Sequence, residues 1–272
     1  MDYAVLGASR AYNVIDINTI DQTTGLTGLN LGERGAGYAE CFILLEHFLR
    51  DNSTKLLLLS LDYPSLNSTE SYSYPFKEYA FLPQFEEDSV ELVFKDVVPN
   101  HKFWMYKFIK ASKYMEFNSK YPFYGTLINF GYVEEYQIIE QSKGTELINK
   151  NQRADGFNIQ EIEEITGKVQ FNQLDLKYLN KIVHLCESNG VELICYSAPL
   201  HKDLYLALGY ENINNQIGSL AKDWHLEWND YSSIPLSQTK EYFADFSHLN
   251  EKGAKIFSKQ LARTISEKLK AN

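Results

Sequence analysis

Residues 3–10, YAVLGASR, decide how the chain begins to fold. Tyr3–Leu6 is a short apolar run without helical period, and Gly7 stops it, which predicts a buried strand followed by a tight turn. Ser9 should then lie at the carboxyl end of the first strand. In an open parallel α/β sheet ligands bind at that edge, where backbone N–H groups at a helix start can hold an oxyanion. Ser9 is therefore a candidate nucleophile, and a helix N-cap is the alternative.

A second motif lies near the other end of the chain, before a helical segment. Residues 245–250 read DFSHLN, and apolar residues then recur at helical spacing over 251–269. With Asp245 three residues before His248, the carboxylate can fold back on the imidazole and support a general base. A surface Asp and a surface His are the alternative. Together with Ser9, the motif would supply the three parts that acyl transfer on a serine needs.

Strand and helix patterns alternate along both flanks of the chain. Strand-like apolar runs lie at 28–31, 56–61, 191–196 and 226–230, and helical periodicity lies at 38–49, 176–188 and 213–224. This alternation predicts βαβ units and a parallel sheet covered on both faces. We expect an α/β fold, a three-layer α/β/α sandwich with a mainly parallel five-stranded sheet. We expect one rim of that sheet to carry Ser9, Gly35, Asp62, Ser197 and His248.

Three segments, in this order, resemble sequence blocks of one superfamily. GAS at 7–9, NLGERGAG at 30–37 and the Asp-x-x-His motif resemble blocks one, two and five of the SGNH (GDSL-type) hydrolases. The chain is most similar to the divergent bacterial cell-envelope branch that includes DltD and the AlgX- and AlgJ-type alginate acetylation proteins. The resemblance implies an SGNH or flavodoxin-like fold and association with the cell envelope. It also implies the site residues: Ser9 as nucleophile, His248 as base, Asp245 as its partner, and the backbone N–H groups of Ser9 and Gly35 as the oxyanion hole.

The chain departs from the superfamily pattern at two positions. Ala8 stands where an Asp usually precedes the Ser, and Asp62 stands where the third block supplies an Asn. An ionised Asp62 cannot donate a hydrogen bond and would repel an oxyanion. We expect that another donor, such as Arg34 or Asn67, completes the hole, or that activity on ordinary esters is poor. The candidates for substrate contacts, each with a structural role as the alternative, are Arg10, Arg34, Asp62, Asn67 and His201.

Residues 70–165 break the alternating pattern and are dense in Tyr and Phe. Such a cluster is typical of the small core of an insertion, and a surface that stacks on sugar rings is the alternative. Because the segment follows the third strand, it should leave from the catalytic rim and could cap the site. We therefore expect one α/β domain over 1–272 that contains a cap-like insertion at 70–165.

Composition limits the partners and cofactors. The 26 Lys and Arg against 36 Asp and Glu give a formal net charge of −10 without a basic stripe, which argues against nucleic acid. No apolar run approaches the ~20 residues of a membrane span, and no signal-peptide pattern opens the chain, so we expect it to be soluble as given. The three Cys fit apolar patterns, and the other His have no metal-ligand spacing. We predict core thiols, no metal and no cofactor.

The leading hypothesis is a serine esterase or O-acyltransferase that works through an acyl-enzyme. Its substrate would be an acyl ester of a carbohydrate, of a cell-envelope polysaccharide or of a small molecule, with water or a sugar hydroxyl as acceptor. The alternative is a non-catalytic carbohydrate-binding or assembly protein that retains the fold, which Ala8 and Asp62 favour. A flavodoxin-like binding module is disfavoured, because the first loop lacks a Ser/Thr/Gly-rich run to cradle a phosphate.

Overall fold

Five parallel strands form the sheet at the centre of the computed structural model, which describes residues 1–62, 66, 76–113, 142–149 and 171–271. The strands are β1 (Tyr3–Leu6), β2 (Gly28–Asn30), β3 (Leu56–Ser60), β4 (Glu192–Ser197) and β5 (Glu227–Asp230). Their order is β2-β1-β3-β4-β5, and every neighbouring pair is parallel. The prediction of an α/β fold with a parallel five-stranded sheet is confirmed.

Helices cover both faces of this sheet. They are α1 (Ser9–Tyr12), α2 (Ile17–Thr24), α3 (Tyr38–Asp51), α4 (Glu78–Phe81), α5 (Asp88–Val97), α6 (Asn100–Phe108), α7 (Gln173–Ser188), α8 (Lys202–Ala207), α9 (Tyr210–Asp223) and α10 (Glu251–Ala271). Helices α2 and α10 pack together on one face, and α3 and α7 pack together on the other. The result is the three-layer sandwich that the sequence predicts.

The strand β3 shows why its sequence is a continuous apolar run. Leu57 and Leu59 belong to the core under α3 and α7, whereas Leu56 and Leu58 belong to the core under α2 and α10. All four side chains are fully buried. Burial of a Leu side chain stabilises a fold by about 1.5–3 kcal/mol. The central strand β3 therefore stabilises the hydrophobic cores on both faces of the sheet.

The position of β1 between β2 and β3 creates the place where a site can form. The chain passes from β1 to one neighbour, β2, and then returns to the opposite side at β3. In open α/β sheets ligands bind beyond the carboxyl ends of the strands at such a reversal of strand order. Ser9 follows β1 and Asp62 follows β3, so these two residues flank the reversal.

Gly7 allows the ends of β1 and β3 to approach closely. Its φ is +149°, and a Cβ at this position would lie 2.6 Å from the Cβ of Ser60. Only glycine meets both demands. The turn that carries Ser9 is thereby held against the end of β3.

Part of the predicted insertion at 70–165 lies among the described residues. The rings of Phe85, Phe94 and Tyr106 pack edge to face and join the core on the α3 side of the sheet. Residues 142–149 run beside β2 and α1, where the backbone N–H of Asn30 donates to the carbonyl of Lys143 at 2.9 Å. The aromatic residues at 114–132 lie outside the described residues. The single domain with a cap over the site stays a prediction.

Candidate active site

Ser9 lies at the start of α1, directly beyond the end of β1. Its Oγ lies 2.8 Å from Nε2 of His248. The N-cap of α1 is Ala8, which makes no side-chain capping bond. The hydroxyl of Ser9 therefore faces the imidazole and does not cap the helix.

A tight loop before α10 holds His248 in this position. Phe243 and Leu249 form an antiparallel bridge, and the backbone N–H of Ala244 donates to the carbonyl of His248 at 2.9 Å. Asn250 closes the loop, because its side-chain oxygen accepts a hydrogen bond from the backbone N–H of Gly253 at 3.1 Å and so caps the helix.

The carboxylate of Asp245 is fixed from several directions inside this loop. Its Oδ1 accepts the backbone N–H groups of Ser247 and His248, both at 2.8 Å, and the hydroxyl of Ser247 at 3.0 Å. Nδ1 of His248 lies 2.9 Å from both carboxylate oxygens. This network assigns the ring proton to Nδ1. Nε2 is then free of a proton and can accept the one on Ser9.

The hydrogen bonds also keep Asp245 charged. Burial acts to raise the pKa of this carboxyl, but the hydrogen bond and the nearby charge of His248 outweigh it, and the pKa lies well below its usual value. The side chains of His248 and Asp245 are 16% and 20% exposed. The pair is therefore shielded from water on most sides and still open to the surface.

Asp62 does not stand near the site as an isolated negative charge. Its Oδ1 accepts a hydrogen bond from Nη1 of Arg10 at 2.7 Å, and its Oδ2 accepts the hydroxyl of Ser60. The side chains of Arg10 and Asp62 are only 5% and 3% exposed. The expectation that Asp62 repels an oxyanion overlooked this pairing with a guanidinium. Burial favours a structural role over substrate contact for both residues.

The loop after β2 lies against the turn that carries Ser9. The backbone N–H of Glu33 donates to the carbonyl of Gly7 at 3.0 Å, and Gly35 follows with a φ of +66°. This contact ties the loop that carries Gly35 to the turn that carries Ser9. The assignment of the N–H groups of Gly35 and Ser9 to an oxyanion hole stays a prediction.

Arg34 binds neighbours at the carboxyl end of α1. It donates from Nη2 to Glu146 at 2.8 Å and from Nε to Asn13 at 3.3 Å, and its guanidinium lies over the ring of Tyr12. Half of its side chain is exposed. Asn67, the other candidate for the missing donor, lies outside the described residues.

His201 supports the loop that holds His248. Its backbone N–H donates to the carbonyl of Phe246 at 3.0 Å, and its ring packs on the rings of Phe243 and Phe246. Its Nδ1 accepts the backbone N–H of Asp203 at 3.3 Å. His201 is buried, which favours the structural alternative over substrate contact. No sequence pattern indicates this support, because it depends on a contact between distant loops.

Glu46, His47 and Glu87 are the one group in the described ranges whose side chains could hold a metal ion. Nη2 of Arg50 lies 2.8 Å from a carboxylate oxygen of each Glu. The guanidinium of Arg50 thus already forms ion pairs with the carboxylates of Glu46 and Glu87. Within the same ranges, no helix has the length and apolar character needed to cross a membrane.

The strand order is that of a doubly wound α/β protein. Beyond the carboxyl ends of its strands, Ser9, His248 and Asp245 form one hydrogen-bonded series. No family model and no curated protein matches the chain. Similar solved structures include a protein of Bacteroides fragilis described as an acylhydrolase, with 10% identity, a TM-score of 0.45 and coverage of 98% of this chain and 88% of that one.

Two further similar structures come from other bacteria. One, from Desulfitobacterium hafniense, is described as a lipolytic protein of the G-D-S-L family; it has 8% identity and a TM-score of 0.46, and covers 96% of this chain and 98% of that one. The other is a GDSL-like lipase of Bacteroides thetaiotaomicron, with 11% identity, a TM-score of 0.44 and coverage of 98% and 88%. Likenesses at this level indicate neither the activity nor the substrate of this chain.

Proposed function

We propose that the chain is a serine esterase or acyltransferase that forms an acyl-enzyme on Ser9. The observation that carries the proposal is the series from Ser9 Oγ to His248 Nε2 at 2.8 Å and from His248 Nδ1 to Asp245 at 2.9 Å. A hydroxyl becomes a competent nucleophile when an adjacent base takes its proton and a third group orients that base.

The first half-reaction transfers the acyl group to the enzyme. Ser9 Oγ attacks the acyl carbonyl carbon while Nε2 of His248 takes the hydroxyl proton. The ionised Asp245 supports the imidazolium. His248 then gives its proton to the leaving oxygen, the ester bond breaks, and the acyl group stays on Ser9.

The second half-reaction runs the same steps with a new hydroxyl. Nε2 of His248 takes a proton from water or from a sugar hydroxyl, and that oxygen attacks the acyl carbon. His248 then returns the proton to Ser9 Oγ as the bond between Ser9 and the acyl group breaks. Backbone N–H groups at Ser9 and Gly35 are proposed to hold the oxyanion in both halves. Water gives hydrolysis, and a sugar hydroxyl gives O-acyl transfer.

For the substrate we propose an acyl ester of a carbohydrate, in the setting of a cell-envelope polysaccharide. The support is the resemblance of the segments at 7–9, 30–37 and 245–248 to the DltD- and AlgX-like branch of the SGNH hydrolases. The alternative, a non-catalytic carbohydrate-binding or assembly protein, is favoured by Ala8 and Asp62. The ion pair with Arg10 counts against it in one respect, because Asp62 is then not an isolated negative charge beside the oxyanion.

A fluorophosphonate probe followed by peptide mass spectrometry tests the nucleophile. We expect modification of Ser9 in the wild type, loss of labelling in Ser9→Ala and in His248→Ala, and wild-type labelling in Ser219→Ala, a control at an exposed serine of α9. A folded wild type that is not modified at Ser9, or labelling that persists in Ser9→Ala, would overturn the proposal.

The acyl acceptor needs a separate measurement. p-Nitrophenyl acetate is supplied with and without an oligosaccharide, and acetate and acetylated sugar are both quantified. Acetylated sugar that depends on Ser9 indicates a transferase, whereas acetate alone in the presence of the sugar indicates an esterase.

A further inference from the structure

Arg10 follows the candidate nucleophile directly, yet its guanidinium is buried and bound to two other strand ends. Nη1 donates to Oδ1 of Asp62, after β3, at 2.7 Å. Nη2 donates to the carbonyl oxygen of Ala198, after β4. One side chain of α1 therefore reaches the carboxyl ends of both β3 and β4.

The acceptors of Arg10 are themselves fixed. The hydroxyl of Ser60 donates to Oδ2 of Asp62, and the backbone N–H of Leu61 donates to the carbonyl of Tyr196 at 2.7 Å. The hydroxyl of Ser197 donates to the carbonyl of Leu61 at 2.9 Å. The guanidinium thus binds to a rigid frame made from the ends of β3 and β4.

Helix α1 needs such a frame, because it has only four residues. A single turn fixes several backbone dihedrals for very few hydrogen bonds and is not stable by itself. Because the guanidinium is planar and donates to two acceptors at once, its hydrogen bonds fix the orientation of the Arg10 side chain as well as its distance from the acceptors. A buried ion pair is in general weak support for stability, because desolvation offsets the Coulombic gain. The contribution of this ion pair is to fix the position of α1 relative to β3 and β4.

We propose that Arg10 and Asp62 form a positioning pair for Ser9. The pair holds α1 against the ends of β3 and β4, so that Ser9 Oγ stays within hydrogen-bond reach of Nε2 of His248. Neither residue touches the substrate. The proposal rests on the proposed function, in which Ser9 is the nucleophile.

The first test measures how fast the fluorophosphonate probe labels Ser9 over a range of probe concentrations. This separates the maximal labelling rate from the half-saturating concentration. The variants are Arg10→Gln, Arg10→Lys and Asp62→Ala. Arg50→Gln is the matched control, because Arg50 forms ion pairs at the surface with Glu46 and Glu87. Thermal unfolding shows which variants are folded.

We expect the maximal labelling rate of Arg10→Gln to fall by about 10- to 100-fold, since a displacement of about 1 Å at a reacting group can cost about 100-fold. The half-saturating concentration should stay within about twofold of the wild type. Arg10→Lys should recover only part of the rate, because an ammonium cannot reproduce the guanidinium fork. Arg50→Gln should behave as the wild type.

Unchanged maximal labelling in folded Arg10→Gln overturns the proposal. Complete recovery by Arg10→Lys does so as well, because charge alone would then suffice. If Arg10→Gln does not fold, Asp62→Ala decides, because it removes the carboxylate without adding a hydrogen-bond donor: a reduced maximal rate supports the pair and an unchanged rate overturns it.

A crystal structure of a folded variant of the pair separates this proposal from the proposed function. We expect Ser9 Oγ to lie beyond about 3.5 Å from Nε2 of His248 in that variant, outside hydrogen-bond range. An unchanged separation overturns the positioning role, whatever the activity. A wild type that the probe does not label at Ser9 overturns the proposed function, while the structural comparison still decides the role of the pair.

Discussion

The Oγ of Ser9 lies 2.8 Å from Nε2 of His248, although the two residues are 239 positions apart in the chain. If this contact activates the nucleophile, the two residues act as one unit. Ser9→Ala and His248→Ala should each lower kcat for ester hydrolysis by about 10³-fold or more. The double variant should be no slower than the slower single variant. Hydrolysis of p-nitrophenyl acetate measures this, and losses that multiply in the double variant would contradict it.

Asp245 should make stability depend on pH in the acid range. Its pKa is lower in the folded protein than in the unfolded chain, so its stabilising effect is complete above about pH 4, the usual Asp value. The effect is lost as the pH falls further toward the folded pKa. Urea unfolding between pH 7 and pH 3 should show a larger loss of stability for the wild type than for Asp245→Asn. Parallel losses in the two proteins would argue against a lowered pKa.

Glu40 should have the opposite effect. Its carboxylate accepts the backbone N–H groups of Gly37 at 2.8 Å and Lys77 at 3.1 Å, and burial raises its pKa to about 7. The folded state therefore binds more protons than the unfolded chain between about pH 4.3 and pH 7. The contribution of Glu40 to the free energy of unfolding is therefore greatest below that pH range. It falls across the range and becomes constant above pH 7.

The matched variant for this effect is Glu40→Gln, which cannot titrate but loses one acceptor. The free energy of unfolding of the wild type relative to Glu40→Gln should fall between pH 4.5 and pH 8 by up to about 3 kcal/mol, because a tenfold change in proton affinity corresponds to about 1.4 kcal/mol. Denaturant unfolding at several pH values measures the difference. A constant difference would show that Glu40 keeps an ordinary pKa.

His201 should affect kcat for ester hydrolysis, because it packs on the loop that carries His248. Its ring packs on Phe243 and Phe246, on either side of Asp245. His201→Ala removes this packing, so we expect kcat to fall by about tenfold or more, since small displacements of catalytic groups are costly. His184→Ala, at an exposed position of α7, is the control and should leave kcat unchanged. Equal kcat values in folded His201→Ala and the control would show that the loop holds without the ring.

The strands could be predicted because their sequences are simple. Leu56–Ser60 is buried on both faces of a parallel sheet, which produces an uninterrupted apolar run. A Ser at the end of β1 and an Asp-x-x-His loop before α10 then had to meet on one rim, because all strands point the same way. The helix α2 was missed, because its eight residues, INTIDQTT, carry only Ile17 and Ile20 as large apolar residues.

The pairing of Arg10 with Asp62 could not be read from the sequence. The two residues lie 52 positions apart, and no local pattern shows that a guanidinium at one strand end reaches a carboxylate at the next. Asp62 alone indicated a missing oxyanion donor, and Arg10 alone indicated a substrate contact. Burial and partner are properties of the folded chain, and they favour a structural role for both residues.

The early place of β1 in the chain, ahead of the segments that complete the site, also bears on the order of events during synthesis. The ribosome releases the chain from its amino end, and early segments begin to fold first. Ser9 emerges long before β3 and β4, which carry the acceptors of Arg10, and before the loop of His248. If His248 activates Ser9, a nascent chain therefore carries an unactivated serine until the loop of His248 has been made. Esterase activity measured during a translation reaction would therefore report that the site has formed. Fragments that end before residue 248 should show no esterase activity.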